Sequence, residues 1–304
     1  MLVRRMVTSK LTSLFDPIIG AASRLSLWSK RSVPRQAFSH LHDEAWLAVL
    51  ERSITEPIQN GVILPGFADV AMQTETVGGA NETTLREASR FYSFVRNTCA
   101  ANGQPIRRDT QILDFGVSWG RIIRFFLKDT APEYLHGVDV SERYLKAARD
   151  SGCQAELAKI DPLGLLPYAD ASFDLVYAYS VFTHLPETLQ DRWLGEIRRV
   201  LKPGGIFVAT VEPPRFLDAF RNVDTNDDTV HLWHRMMATK IAADPGIRTR
   251  LEETGFSYIP GNETYGDTVV TPEYVRRHWG RFFEVRDFLD DPKRFWQAVV
   301  TTQR

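Results

Sequence analysis

Three residues in this chain have types and positions suited to holding or transforming a small ligand. Asp114 closes a short apolar run within Ile-Leu-Asp-Phe-Gly-Val-Ser-Trp-Gly (112–120), and Gly116 and Gly120 follow it. Glycine has no Cβ, so a strand and tight turn of this composition let a ligand approach the backbone closely. An amphipathic helix after the turn would present unpaired N–H groups to a carboxylate or phosphate. Asp139 closes a second apolar run, and an acid at a strand end can accept hydrogen bonds from two ribose hydroxyls. His184 closes a third segment, Phe-Asp-Leu-Val-Tyr-Ala-Tyr-Ser-Val-Phe-Thr-His-Leu (173–185). Its imidazole can act as a general base toward a hydroxyl acceptor, or it can brace the helix that follows. The first turn reads Asp-x-Gly-x-x-x-Gly, which is not the Gly-x-Gly-x-x-Gly of dinucleotide-binding proteins.

These segments occur in a fixed order: the glycine turn, the strand to Asp139 with a helix capped by Ser141, the 173–185 segment, and a helix ending Leu-Lys-Pro-Gly-Gly (201–205) before the strand Ile-Phe-Val-Ala-Thr-Val (206–211). The chain resembles the class I S-adenosylmethionine-dependent methyltransferase superfamily. That resemblance implies S-adenosylmethionine as cofactor, with Asp114, Gly116 and Gly120 along its methionine portion and Asp139 on its ribose. It further implies Asp161 near the adenine amine, and Tyr179 and Ser180 near the transferred methyl. The family's middle glycine is Ser118 here, and a left-handed backbone at that position costs more for serine than for glycine.

The elements that must position these residues follow from pattern. Strand and helix signals alternate from 110 to 211, which predicts a doubly wound, mostly parallel sheet with helices on both faces. The resemblance extends this to seven strands in a Rossmann-like α/β fold, ending in an antiparallel hairpin formed by 282–288 and 295–302. Helices are expected at 41–60 and 82–102, and Thr271-Pro272 starts another. Residues 212–270 form an insertion after the fifth strand, with a helical stretch near 230–254 and a Tyr-Gly-Asp tract at 265–267. The resulting division is a basic tail (1–40), an N-terminal helical segment (41–109) and a methyltransferase domain (110–304) whose 212–270 insertion acts as a substrate lid.

Bulk properties narrow the partners. The 304 residues are 43% hydrophobic and 25% charged with net charge −1, so the whole molecule offers no electrostatic case for nucleic acid. Residues 1–40 hold seven Arg and Lys against Asp16, which allows peripheral contact with a membrane surface. No transmembrane run is present. Two cysteines fit a reducing, cytoplasmic setting. His231 and His234 lack a third ligand, so no metal site is expected. The expected activity is methyl transfer to a small-molecule acceptor, with a hydroxyl of sugar, lipid-linked or secondary-metabolite type ahead of an amine. The alternatives are an N-methyltransferase and a non-catalytic cofactor-binding partner protein.

Overall fold

Period-two alternation of apolar residues decides the architecture. In a computed structural model, which describes residues 34–304, adjacent strand residues feed two separate cores. Ile112, Leu175, Ile206, Val208 and Val299 point into one layer. Their neighbours Leu113, Val176, Phe207, Ala209 and Val300 point into the other. A strand whose side chains all find apolar cover on both faces must lie inside a sheet flanked by two helical layers.

In chain order the strands are β1 Ile58–Gln59, β2 Val62–Ile63, β3 Ile112–Phe115, β4 Leu135–Asp139, β5 Glu156–Lys159, β6 Phe173–Ala178, β7 Leu201–Val211, β8 Phe256–Pro260, β9 Gly266–Val270, β10 Glu284–Leu289 and β11 Ala298–Gln303. Seven of them form one sheet in the order β10-β11-β7-β6-β3-β4-β5. β5 through β7 run parallel, and β11 is antiparallel to both of its neighbours. The sheet class and the closing antiparallel pair are those expected. The chain steps from β3 to one side and later returns on the other, so a crevice opens at the carboxyl ends of β3, β4 and β6. Pro203-Gly204-Gly205 is a bulge within β7 rather than a turn before it: the register shifts there, and Gly204 has φ +80°.

Several local expectations change. The chain after Gly120 forms a 3-10 helix, Ile123–Lys128, in which all six residues are buried. With no solvent face it cannot be amphipathic: helices Pro34–Phe38 and Glu82–Ala101 pack on it, Tyr92 of the latter meeting the rings of Phe125 and Phe126, and Trp46 Nε1 of helix Asp43–Arg52 donates to Phe125 O (2.9 Å). The 41–60 helix ends at Arg52, and an Asn60-Gly61 turn with both φ positive then joins β1 to β2. Asp69 caps an unforeseen helix, Val70–Val77, by accepting from Met72 N. The next helix, Glu82–Ala101, matches its expected span.

The 230–254 stretch is two helices, Leu232–Ala243 and Ile247–Thr254, followed by the β8–β9 hairpin. Phe216, Leu217, Met237, Leu251 and Val269 give the insertion its own small core. Of the basic segment, residues 1–33 lie outside the described range, together with most of the membrane-contact reading. At its end, Phe38 is fully buried against Trp46.

Arg124 ties the N-terminal segment to the glycine turn. Its guanidinium donates to the carbonyls of Gly120 (3.1 Å), Pro65 (3.4 Å) and Gly66 (2.9 Å) and lies over the rings of Phe67 and Trp119. Burial pushes it down to about 10. Replacing it with leucine leaves those carbonyls without a donor, each a loss of about 1–3 kcal/mol when buried. Arg124→Leu should therefore lower unfolding stability by several kcal/mol in a denaturant titration; a loss below about 1 kcal/mol would show that water replaces the guanidinium.

Candidate functional site

The turn after β3 folds back over the end of β4. Gly116 N and Val117 N both donate to Val138 O, each at 2.9 Å. Gly116 has φ +92°, and a Cβ there would lie 2.4 Å from Val181 Cγ2, so only glycine fits. Ser118 does take the left-handed conformation (φ +49°). Its N–H donates to Asp139 Oδ2 (2.9 Å), which helps to offset the strain. The turn's own N–H groups at Gly116, Val117 and Ser118 are thus bonded within the protein.

A cavity of 410 Å³ opens at this edge, and Asp114, Gly116, Asp139, Tyr179, Ser180 and His184 all line it. Two of the expected residues do not. Gly120 sits behind the wall with φ +82°, where a Cβ would come 2.8 Å from Cys153 Sγ. Asp161 is exposed and its Oδ1 accepts from Leu163 N (2.7 Å), while its neighbours Ile160 and Pro162 line the cavity.

Asp139 accepts from Ser118 N on one oxygen and from Ser141 N (2.8 Å) on the other. Each oxygen keeps a further lone pair. Burial raises its carboxyl above the ordinary range, and these backbone hydrogen bonds oppose the rise. Asp114 is enclosed more completely. Burial pushes it up to about 7, with Asp139 adding to the rise, while the hydrogen bond from Tyr177 Oη (2.7 Å) and the Arg121 charge oppose it.

Tyr179 Oη donates to Glu87 (2.7 Å), whose other oxygen accepts from Arg121 (2.8 Å). Ser180 has φ +57°; its N–H donates to Thr210 Oγ1 (2.7 Å) and its Oγ accepts from Gln297 Nε2 (2.9 Å). The same amide donates to Glu212 (3.2 Å), which burial pushes up to about 8.

His184 Nδ1 lies 2.8 Å from Gly266 O. A carbonyl only accepts, so Nδ1 carries a hydrogen, and in the neutral ring Nε2 keeps its lone pair. The ring stacks on Tyr265 with centroids 4.5 Å apart and planes at 18°. Thr264 and Tyr265 bring the insertion into the cavity wall. Tyr265 belongs to the Tyr-Gly-Asp tract noted in the insertion, whereas the pattern of the sequence missed Thr264, Arg121, Val140, Tyr144 and Glu75 of helix Val70–Val77 as lining residues. Val140 directly follows Asp139 and is 49% exposed, an apolar side chain whose lack of cover only the fold shows. Glu75 accepts from both Arg143 (2.7 Å) and Tyr144 (3.1 Å), tying helix Val70–Val77 to helix Glu142–Asp150. His231 caps helix Leu232–Ala243 by accepting from Trp233 N (3.2 Å). Among the described residues no group of His, Cys, Asp and Glu could hold a metal ion, and no helix is long and apolar enough to cross a membrane.

Residues 113–209 match a family model described as a methyltransferase domain. The chain is 31% identical over 132 residues to the probable methyltransferase ltbC of Aspergillus luteorubrus, covering 38% of this chain and 46% of that protein. It is 33% identical over 110 residues to 27-O-demethylrifamycin SV methyltransferase of Amycolatopsis mediterranei, covering 33% and 38%. To 24-methylenesterol C-methyltransferase 2 of Oryza sativa it is 26% identical over 221 residues, covering 67% and 55%. The chain spans about half the length, or less, of these relatives. Among solved structures, an S-adenosylmethionine-dependent methyltransferase from Clostridium acetobutylicum superposes with a TM-score of 0.48 at 16% identity, covering 71% of this chain and 91% of that one.

The enclosure of Asp114 has a measurable consequence. Burial raises it from 3.8 to about 7, so the fold favours its neutral form. The stability linked to that form is complete below about pH 4 and is lost as pH rises through about 7. Asp114→Asn removes the titration, so its thermal stability should gain on the wild type as pH rises from about 4 to about 7 and hold that gain above it. Parallel pH profiles for the two proteins would mean that the carboxyl is ionised throughout.

Proposed function

We propose, on the premise that residues 113–209 are a methyltransferase domain of the class I S-adenosylmethionine-dependent superfamily, that this chain transfers a methyl group from S-adenosylmethionine to a hydroxyl of a small-molecule acceptor. The observation that carries the reading is one cavity lined by Asp114 and Asp139 and also by a histidine whose Nε2 keeps its lone pair. The lining suits the cofactor. Asp139 has free lone pairs for ribose hydroxyls, and buried Asp114 offers a carboxyl to an ammonium. Exposed Val140 offers an apolar surface to adenine, and Ser118 Oγ is buried without a partner.

When bound, the cofactor supplies a methyl group on a sulfonium, an electrophile with a good leaving group. The chain must then hold the acceptor in line, keep water out and remove a proton. With the cofactor bound, which would give up its methyl carbon and leave as the neutral thioether, His184 Nε2 would take the proton released by the acceptor hydroxyl, and Gly266 O holds the ring in the required tautomer. Tyr265 and Thr264 roof the acceptor side, which is the lid role proposed for 212–270. An amine acceptor, whose neutral nitrogen carries its own lone pair and needs no general base, is the second reading.

Two substitutions test separate parts of this reading. Charge-assisted hydrogen bonds contribute about 1.5–3 kcal/mol each, so Asp139→Ala should weaken binding of the demethylated cofactor at least about tenfold in a calorimetric titration. Unchanged affinity would remove Asp139 from the site. The acceptor is to be found by screening acceptor mixtures with labelled cofactor. With it in hand, His184→Ala should lower the rate by about 100-fold and leave cofactor affinity intact. A folded variant with wild-type turnover would refute the base and favour the amine.

A further inference from the structure

A second concavity, 740 Å³ in volume, runs along the outer face of helix Glu82–Ala101 and shares no lining residue with the cofactor cavity. Its lining follows the helix from Arg86 to Ala101, a run on the order of 20 Å. Leu47, Phe94 and Phe295 give it an apolar floor. The rim is cationic. Arg86 is paired with Glu51 (2.9 Å), but among the described residues no acid lies within 4.0 Å of the side-chain nitrogens of Arg90, Lys293 or Arg294; Asp291 accepts instead from the backbone N–H of Lys293 (3.0 Å). Arg294 lies over the rings of Phe94 and Phe295, at 5.8 and 5.7 Å from their centroids. Of the two acids on the lining, Asp43 is already bound to Ser93 (2.7 Å) and Arg96 (3.0 Å), which leaves Glu44 against three cations.

We propose that this groove binds a single-chain anionic amphiphile, its alkyl chain on Phe94, Phe295 and Leu47 and its phosphate or carboxylate head on Arg90, Lys293 and Arg294. Charge selects this occupant over those the chain itself could supply. Residues 1–33 carry Arg4, Arg5, Lys10, Arg24, Lys30 and Arg31 against Asp16, the same sign as the rim. A second copy of the face would bring the same cations. The volume lies within the range of about 300–1,000 Å³ usual for small-ligand sites. Helix Glu82–Ala101 separates the two sites: from it, the Thr84 carbonyl and Glu87 hold Arg121 on the cofactor side. The proposal does not depend on the methyl-transfer reading.

The test is calorimetric titration of the full chain with dodecyl phosphate below its micelle concentration, with dodecyltrimethylammonium as the opposite-charge control. Dodecyl phosphate should bind and the control should not. The double variant Arg90→Glu/Arg294→Glu, at exposed positions, should weaken dodecyl phosphate by about tenfold or more and leave binding of the demethylated cofactor unchanged. If that variant does not fold, Arg90→Gln/Lys293→Gln should show the same direction of change. No binding of dodecyl phosphate, equal binding of both amphiphiles, or full affinity in the folded variant would each overturn the proposal. Binding to anionic phosphatidylglycerol vesicles without binding of the monomer would overturn it too, because the face would then be a membrane surface.

Discussion

The site depends on one carbonyl. Val138 O, next to the end of β4, accepts the N–H groups of both Gly116 and Val117, and so folds the turn after β3 across the neighbouring strand. That bend is open only to a residue with positive φ and no side chain, because Val181 fills the space a Cβ would need. Once it is made, Ser118 N reaches Asp139, and Asp139's other oxygen takes Ser141 N at the start of helix Glu142–Asp150. The acid thereby holds turn, strand end and helix start together while keeping lone pairs toward the cavity. Arg124 fixes the far side of the same turn through Gly120 O.

The cavity walls have two origins. One is the carboxyl edge of the sheet, where position follows from strand pairing and is rigid. The other comes from segments outside the alternating core: helix Val70–Val77 and the turn between β8 and β9. The second wall is well anchored. Gly266 N donates to His184 O (2.9 Å), Thr268 N to Thr183 O (2.7 Å) and Val270 N to Glu212 O (2.9 Å). Tyr265 is therefore placed by backbone hydrogen bonds to His184 and Thr183 and is not simply carried on a loose loop. The insertion's own apolar core supports the same arrangement.

Enclosure at this edge has a cost. Asp114 and Glu212 are buried carboxyls raised toward neutrality, and Ser118 and Ser180 hold left-handed backbones. Groups of this kind are destabilising in an empty fold and tend to gather where a ligand is recognised. The two helical layers, with large buried side chains such as Trp46, Trp193 and Trp279, offset that cost.

The sequence alone determined whatever depends on local pattern. Alternation fixed which strand residues face which layer. Ser141 and Thr271 were readable as helix caps, and Asp114 and Asp139 as strand-end acids, because each signal lies within a few residues of what it controls. The Asn60-Gly61 hairpin and the Asp69 cap were equally local and were open to the same reading. Tertiary structure decided the rest. Arg121 reaches the cavity through Glu87, 34 residues away, and Tyr265 meets His184 across 81 positions. The segment after Gly120 lost its expected amphipathic helix because helices Pro34–Phe38 and Glu82–Ala101, with Trp46, cover the faces that would have met solvent. Asp161 spent one oxygen on its own turn and left the wall to Ile160 and Pro162. Local propensity names the residues able to form a turn, a cap or a base, but only packing between distant segments sets which of them share a cavity, since burial and orientation are properties of the neighbours and not of the residue.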